Sequence, residues 1–213
     1  MKYKMVSDTF NEDYFDVMAR YPDNHFDLAC CDIPYGINVG KMAYLTEQNT
    51  QVLQKNGSKL KIKNRPKYAL KEWDLNVPDQ RYYDEVCRIS KHQIIFGVEY
   101  VDWIGLGSGR IIWDKLVADG MSFNRYEKAY CSFIDFEMTV PLLWSGFMQA
   151  KSLKEPTYAK GNKKKNEKRI HPTQKPVMLY CLLYNIAKEY LLKNNIVLKK
   201  VFDSCLGSGS SRI

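Results

Sequence analysis

A short apolar run that stops at a carboxylate, a proline and an aromatic residue constrains this chain more than any other feature. Residues 26–30 have the character of a buried strand, and Asp32-Ile33-Pro34-Tyr35 follows almost at once. The proline fixes its own φ and pushes the residue before it toward an extended conformation. We therefore expect a strand that leads into a rigid turn, which presents the aspartate carboxylate, the next carbonyl and the tyrosine ring in fixed directions. The four residues alone are equally compatible with an ordinary exit from a strand.

The rest of the sequence alternates segments of helical and strand character, which indicates an α/β fold. Predicted helices cover residues 11–20, 79–88 and 177–192, and predicted strands cover residues 26–32, 93–97, 110–113, 126–133, 136–144 and 196–202. The two strands on either side of Asp135 resemble a hairpin, although Pro141 would confine the second to a sheet edge or a bulge. Glycine-rich residues 105–109 precede a strand and no helix follows, so they predict a connection rather than a phosphate loop.

The composition favours a single domain that spans residues 1–213. The chain is 45% hydrophobic and 13% aromatic, which is enough for one sizeable core. Of the formal net charge of +8, residues 55–71 carry +7 and residues 151–169 carry +6, which leaves roughly −5 on the remainder. These charges lie in two polar segments, 38–76 and 145–170, that show no sustained period and read as basic loops. The sequence therefore predicts a polyanionic partner, with two solvated loops as the alternative.

The cysteines and the N-terminus indicate the cellular compartment in which the protein folds. The six cysteines show no C-x-x-C spacing, which disfavours a zinc site, and several lie in apolar runs where a free thiol behaves as a small hydrophobe. The first ten residues lack the apolar core of a signal peptide, and no stretch of apolar residues approaches the length of a membrane span. We expect a reducing cytoplasm and no membrane partner.

Two further motifs stand near the other end of the chain. His171-Pro172-Thr173-Gln174-Lys175-Pro176 leads into the helix 177–192, and its last proline suits a first helical turn. The period of this helix predicts an inner face made of Leu179, Leu182, Leu183, Ile186 and Tyr190. The strand 196–202 then ends in Asp203-Ser204-Cys205-Leu206-Gly207-Ser208-Gly209, a glycine-rich turn placed to open another helix. The strand with Asp32, this helix entry and this turn follow one another in a fixed order.

In that order the three motifs resemble the DNA amino-methyltransferases, in the permuted arrangement in which the catalytic motif precedes the cofactor motif. Bacterial or phage adenine-specific enzymes look most similar, and the resemblance covers residues 26–213. It implies a Rossmann-like, S-adenosylmethionine-dependent methyltransferase fold with a mostly parallel sheet, an antiparallel hairpin and a circularly permuted order. It also implies double-stranded DNA as the partner, in a bacterial or phage-infected cell, and it is compatible with a homodimer.

The resemblance implies a chemical role for each residue of the first turn. The amine of adenine or cytosine is a poor nucleophile because its lone pair is delocalised into the ring. Acceptors for both N–H groups, here the Asp32 side chain and the Ile33 carbonyl, would favour a pyramidal nitrogen and would lie where charge develops. Pro34 would hold the turn, and Tyr35 would stack on a base flipped out of the duplex.

The resemblance also implies which residues bind the methyl donor, S-adenosylmethionine, and the DNA. Asp203 would face the methionine ammonium group, and the glycines would allow close approach of the backbone. The candidate cofactor-binding residues are Thr173, Gln174, Lys175, Asp203, Cys205, Gly207, Ser208 and Gly209. His171 is equally compatible with a structural hydrogen bond. The candidate phosphate-binding residues are Lys59, Lys61, Lys63, Arg65, Lys163, Lys164 and Lys165.

The sequence departs from the family pattern at two points. The family usually has proline where Ile33 stands, but the acceptor there is a backbone carbonyl, so only the rigidity of the turn changes. An acidic residue for the ribose hydroxyls is expected about 20 residues after the glycines. Four residues follow Gly209 in this chain. The resemblance therefore predicts a C-terminally truncated chain that lacks its last strands. It is either a fragment of a longer enzyme or a truncated gene product whose cofactor site is incomplete.

Several alternatives stay open. The aspartate form of the motif favours adenine N6, whereas N4 of cytosine, an RNA base or a protein amide are related targets with the same planar NH₂ group. Most relatives of the RNA and protein kind place the glycine-rich motif first, so the order here argues against them. A catalytically silent nucleic-acid-binding module is the alternative from a different class.

Overall fold

The computed structural model describes residues 6–38, 51–53, 57, 59–61, 74–117, 124–145, 148–157, 166–170 and 173–212. The helices are α1 (Tyr14–Met18), α2 (Gln80–Ile89) and α3 (Val177–Lys193), with a short 3₁₀ helix at Val98–Tyr100. The strands are β1 (Leu28–Asp32), β2 (Gln51–Leu53), β3 (Lys59–Lys61), β4 (Gln93–Phe96), β5 (Arg110–Asp114), β6 (Tyr126–Cys131), β7 (Glu137–Pro141), β8 (Trp144–Ser145), β9 (Met148–Gln149) and β10 (Val201–Phe202).

A six-stranded mixed sheet forms the centre of the fold, in the order β10-β1-β4-β6-β5-β7. Strand β1 pairs in parallel with β10 on one side and with β4 on the other, and β7 pairs in parallel with β5. Strand β6 runs antiparallel to both of its neighbours. The predicted α/β class is confirmed, with a sheet that has an antiparallel strand among mostly parallel pairs.

Both faces of the central strands are buried, which explains why β1 reads as a continuous apolar run rather than an alternating one. Leu28 and Cys30 pack on one side together with α3, whereas Ala29 and Cys31 pack on the other side together with α1 and α2. The inner face of α3 differs in part from the prediction. Leu179 and Leu183 are buried as expected, while the predicted inner residues Leu182, Ile186 and Tyr190 are only partly buried.

The predicted hairpin around Asp135 is wrong. The segment after β6 does not turn back along β6 but crosses the start of β5, and β7 pairs on the far side of β5. A Cβ atom on Gly109 would lie 2.1 Å from the Ile134 carbonyl oxygen and 2.3 Å from that of Cys131, so only glycine lets the crossing chain come this close. The antiparallel hairpin of the sheet is β5–β6, and β7 with Pro141 is an edge strand, as the proline requires.

The predicted strand 196–202 is much shorter in the structure. Only β10 pairs with β1, and residues 196–200 lie outside the ladder. The carboxylate of Asp27 accepts hydrogen bonds from the backbone N–H groups of Lys199 at 2.9 Å and Lys200 at 3.0 Å. A side-chain acceptor therefore satisfies the donors that a longer strand would have used.

Two further findings concern the basic segment and the lengths of the helices. Within the basic segment 38–76, for which no regular structure was predicted, β2 and β3 form a small antiparallel pair. No helix in the described ranges is long and apolar enough to cross a lipid bilayer.

Candidate active site

Five strands begin or end at one edge of the central sheet, and polar side chains lie beside four of these strand ends. Because β10, β1 and β4 are parallel, Asp203, Asp32 and Gly97 follow their strands at the same edge. Strand β6 is antiparallel, so its first residues, including Glu127, lie at that edge, and Lys115 comes directly after β5 there. The sheet topology thus brings distant parts of the sequence together around Asp32.

The side chain of Lys175 joins the helix entry to the Asp32 turn. Its ammonium nitrogen lies 2.5 Å from Asp32 Oδ1 and donates to the Tyr35 hydroxyl at 2.9 Å. The same Asp32 oxygen accepts from the Tyr35 hydroxyl at 3.0 Å. Within the described part of the chain, Oδ2 of Asp32 accepts no hydrogen bond. The side chain of Lys175 is 4% exposed and that of Asp32 is 19% exposed, so this is an ion pair almost withdrawn from water.

Lys175 has a second carboxylate beside it. Glu127 Oε2 lies 3.1 Å from Lys175 Nζ, although without the angle of a hydrogen bond, and Glu127 Oε1 lies 2.5 Å from Lys115 Nζ. Asp32, Lys175, Glu127 and Lys115 therefore form a chain of alternating charges, which we call the Asp32–Lys115 charge chain. Sequence reasoning missed Glu127 and Lys115, because only the pairing of β5 with β6 brings them to this edge.

Burial and ion pairing shift the pKa values of Asp32, Glu127 and Lys175 in opposite directions. Burial raises the pKa of Asp32, and the pairs with Lys175 and Tyr35 oppose that shift. Burial also disfavours ionised Glu127, but Lys175 and Lys115 outweigh it and lower the pKa to about 2. For Lys175, burial acts to lower the pKa, yet Asp32 and Glu127 raise it above its usual range. At neutral pH, Lys175 and Glu127 are therefore both charged.

A buried aspartate that the sequence analysis did not identify holds the turn after Asp32. Asp74 is 2% exposed. Its Oδ1 accepts from the backbone N–H groups of Tyr35 at 2.7 Å and Gly36 at 3.0 Å. These bonds fix the turn, and the side chain of Ile33 is buried against the core beside it. The rigidity expected from Pro34 is therefore supplemented by a carboxylate from a distant segment.

The ring of Tyr35 is held from two directions. It stacks on the ring of Tyr100, with centroids 4.7 Å apart and planes inclined by 15°. At its edge, a Cβ atom on Gly97 would lie 2.5 Å from Tyr35 Cε1 and 2.8 Å from Ile33 Cγ1, and Gly97 has a φ of +89°. Gly97 therefore leaves the space that the side chains of Ile33 and Tyr35 occupy.

Replacing Gly97 with Ala should lower the free energy of unfolding by about 2–4 kcal/mol, because the left-handed φ and the clash with Tyr35 both cost energy. Gly105→Ala is the matched control: its φ is +92° and its nearest heavy atom would lie at 3.7 Å. It should show only the backbone cost, about 1 kcal/mol. Urea denaturation measures both, and equal losses in the two variants would contradict this account of Gly97.

The glycine-rich turn after β10 is folded around Asp203. One carboxylate oxygen accepts from the Cys205 N–H at 2.9 Å and the other accepts from the Ser211 hydroxyl at 2.6 Å. The turn is tied to α2 where the Tyr82 and Ser204 hydroxyls lie 2.5 Å apart, and Ser208 bonds to Ser210 within it.

Gly207 and Gly209 in this turn both have positive φ, and a Cβ atom on Gly209 would meet nothing within 4 Å. The turn is therefore open on that side, where a ligand could approach its backbone. Residues 203–212 form turns and bends, as expected of a glycine-rich turn.

The carboxylate of Asp203 is poised for a cationic partner. Burial raises its pKa to about 6, although the bonds from Ser211 and Cys205 act to lower it. Among the described residues it forms no ion pair, and each of its oxygens retains a lone pair. A partly buried carboxylate of this kind suits an ammonium group of a ligand.

The raised pKa of Asp203 predicts a pH dependence. Its folded-state pKa lies above the unfolded value near 3.9, so wild-type stability should fall as the pH rises from about 4 to about 6. Asp203→Asn keeps the turn's hydrogen-bonding shape without the charge, and it should be more stable than wild type by about 1–2 kcal/mol at pH 7.5. That advantage should vanish near pH 4, as thermal unfolding across this range will show. Exposed Asp102→Asn should keep the wild-type profile, and a pH-independent difference for Asp203→Asn would be contrary to this prediction.

The other predicted cofactor residues have different surroundings. Gln174 is buried; its side-chain oxygen accepts from the Ile170 N–H and its amide donates to Glu167 Oε1, so it holds the segment before α3. Thr173 is exposed. His171 and the predicted phosphate contacts Lys63, Arg65, Lys163, Lys164 and Lys165 lie outside the described residues. Lys59 and Lys61 are in β3, but their side chains are likewise outside the description.

The structure thus brings together Asp32, Tyr35 and Lys175, with Asp203 on the neighbouring strand. In the described part of the chain, no group of three or more His, Cys, Asp or Glu side chains is arranged to hold a metal ion. Comparison with known proteins yields neither a matching family model nor a matching curated sequence, so the function has to be argued from the site itself.

Proposed function

We propose that this chain is a site-specific DNA methyltransferase that transfers the methyl group of S-adenosylmethionine to the exocyclic N6 amine of a flipped adenine. The observation that carries the proposal is the ion pair between Asp32 and Lys175, 143 residues apart in sequence. It unites the strand-end motif and the helix-entry motif at the edge where the glycine-rich turn also lies. Three motifs selected from sequence alone thus converge on one place.

Oδ2 of Asp32 accepts no hydrogen bond from the described residues, which supports a role as acceptor for the amine. Lys175 and Tyr35 both use Oδ1, which orients the carboxylate and leaves the other oxygen open. In the proposed reaction, Oδ2 accepts one N–H of the target amine and the Ile33 carbonyl accepts the other. Two acceptors draw the nitrogen lone pair out of conjugation and stabilise the positive charge that develops on nitrogen.

Tyr35 and Tyr100 support recognition of a planar ring. Tyr35 is already stacked on another aromatic ring at a distance suited to π-stacking, and Tyr100 remains 37% exposed. A flipped base would stack on Tyr35 by taking the place of the Tyr100 ring or by packing beside it. Aromatic stacking offsets part of the roughly few kcal/mol that base flipping costs.

The residues around Asp203 fit the methyl donor. The Asp203 carboxylate, which forms no ion pair with the described residues, would hold the methionine ammonium group, and the open backbone of Gly207 and Gly209 would lie against the nucleoside. When bound there, S-adenosylmethionine supplies an electrophilic methyl group on a cationic sulfur. In this proposal the sheet belongs to a permuted Rossmann-like methyltransferase fold, and the basic segments 55–71 and 151–169 contact DNA phosphates.

The proposal is tested by methyl incorporation from labelled S-adenosylmethionine into unmethylated DNA, by wild type and by Asp32→Ala. We expect incorporation by wild type and almost none by the variant. Equal counts from the two would overturn the enzymatic role. Salt-sensitive DNA binding without any transfer would instead support the silent nucleic-acid-binding module.

A further inference from the structure

A second acidic residue, Glu127, lies behind Lys175 and does not reach the position proposed for the amine. We propose that Glu127 is a positioning residue that sets the charge at the acceptor end of the site and thereby favours methyl transfer. This inference rests on the proposed function, because it assigns Glu127 a part in the same reaction.

The geometry buries Oε2 of Glu127 and gives the carboxylate two cationic neighbours. Its two oxygens lie 3.1 Å from Lys175 Nζ and 2.5 Å from Lys115 Nζ, and its side chain is 23% exposed. The side chains of Lys175 and Lys115 are 4% and 10% exposed, so solvent screens these charges little. A change in one member of the Asp32–Lys115 charge chain is therefore felt by the others.

The charge count explains why the position of Glu127 matters. Asp32 and Glu127 balance Lys175 and Lys115, so these four charges of the Asp32–Lys115 charge chain sum to zero. Without Glu127, the charge chain would carry an excess positive charge beside the amine. During transfer the amine nitrogen gains the methyl carbon and the positive charge, as the carbon–sulfur bond of the donor breaks, and then releases one proton. An uncompensated cation nearby would oppose that movement of charge.

Other ionisable groups face the same cluster and enter the pH behaviour. Glu99 in the 3₁₀ helix after β4 and Asp203 after β10 add negative charge, and the hydroxyl of Tyr180 in α3 lies near Lys175. Glu127 differs from Glu99 and Asp203 in bridging two buried ammonium groups.

The test compares Glu127→Gln with Lys115→Met, because these variants change the net charge in opposite directions. The titration midpoint of Asp32, followed by carboxyl-carbon NMR without any ligand, should fall in Glu127→Gln, because a like charge is removed. In Lys115→Met it should rise. The kcat for DNA methylation should fall about 10- to 100-fold in Glu127→Gln, with little change in KM, and should not fall by that factor in Lys115→Met.

Glu137→Gln, at an exposed position on β7, is the matched control and should leave both measurements at the wild-type values. An unchanged Asp32 midpoint in Glu127→Gln would overturn the inference. So would equal losses of kcat in Glu127→Gln and Lys115→Met, which indicate a structural role only. If the midpoints shift as expected but wild type transfers no methyl group, the proposed function fails while the charge coupling between Glu127 and Asp32 stands.

Discussion

Replacing Lys175 with Met should lower the free energy of unfolding by about 3 kcal/mol at pH 7. This value lies at the lower end of the range for removing one partner of a buried ion pair. We choose the lower end because the carboxylates left behind, Asp32 and Glu127, keep 19% and 23% exposure. Equilibrium urea denaturation measures the loss. Lys188→Met, an exposed position on the same helix, should change stability by less than about 0.5 kcal/mol.

The loss in Lys175→Met should also depend on pH in a defined direction. Without the ammonium group, Asp32 loses its cationic partner but keeps its burial and the nearby Glu127 carboxylate, so its folded-state pKa rises above the unfolded one. A raised folded-state pKa makes a carboxyl group more costly as pH increases. The difference from wild type should therefore shrink between pH 7 and pH 4. A constant difference would show that Lys175 stabilises the fold by packing rather than by charge.

Replacing Asp32 with Asn should lower kcat for methyl transfer about 10³-fold while DNA affinity changes little. Lys175 and the Tyr35 hydroxyl both donate to Oδ1, so they select the amide oxygen at that position. The amide NH₂ then points where Oδ2 pointed, and a donor faces the donor N–H of the substrate amine. Loss of one preorganised group that acts on developing charge costs about 10²–10³ in kcat, and the misplaced donor adds to it.

Single-turnover kinetics and DNA binding at one salt concentration separate the two effects of Asp32→Asn. Asp102→Asn, at an exposed position, is the control and should match wild type in both. A kcat within tenfold of wild type in Asp32→Asn would mean that Asp32 is not the acceptor.

The sequence predicts the Asp32 turn and the α3 helix well because both depend on local patterns. A proline next to a strand end and a proline at a helix start restrict φ wherever the chain goes. The apolar period of the helix fixed its length to within one residue, since the prediction 177–192 became Val177–Lys193. The prediction of the inner face of α3 was only partly correct, because tertiary contacts, and not the apolar period, decide how the helix is rotated.

The rest of the site depends on pairing between distant strands, which local patterns do not encode. Glu127 and Lys115 look like ordinary surface charges until β5 pairs with β6. The crossing at Gly109 shows the same limit, since the glycine looked like part of a flexible connection. Asp74 lies at the end of a polar segment without a period, and nothing in its neighbours along the chain indicates that it caps the Tyr35 turn.

Lys175 shows how a motif can identify a residue without identifying its partner. The resemblance implied a position beside the cofactor, whereas the structure pairs its ammonium group with Asp32 and Tyr35. Pro176 has extended backbone angles and precedes α3, so Lys175 lies just outside the helix, where its side chain reaches Asp32. Its chemistry is therefore tied to the acceptor carboxylate, and that tie is what connects the helix entry to the proposed reaction.

The central claim is that Asp32 and the Ile33 carbonyl present an exocyclic amine for methylation. The most direct test is to incubate the protein with unmethylated DNA and labelled S-adenosylmethionine, digest the DNA to nucleosides and identify the labelled one by mass spectrometry. The account predicts label on N6-methyladenine with wild type and about 10³-fold slower labelling with Asp32→Asn. Label on a ring carbon, or equal labelling by the two proteins, would contradict it.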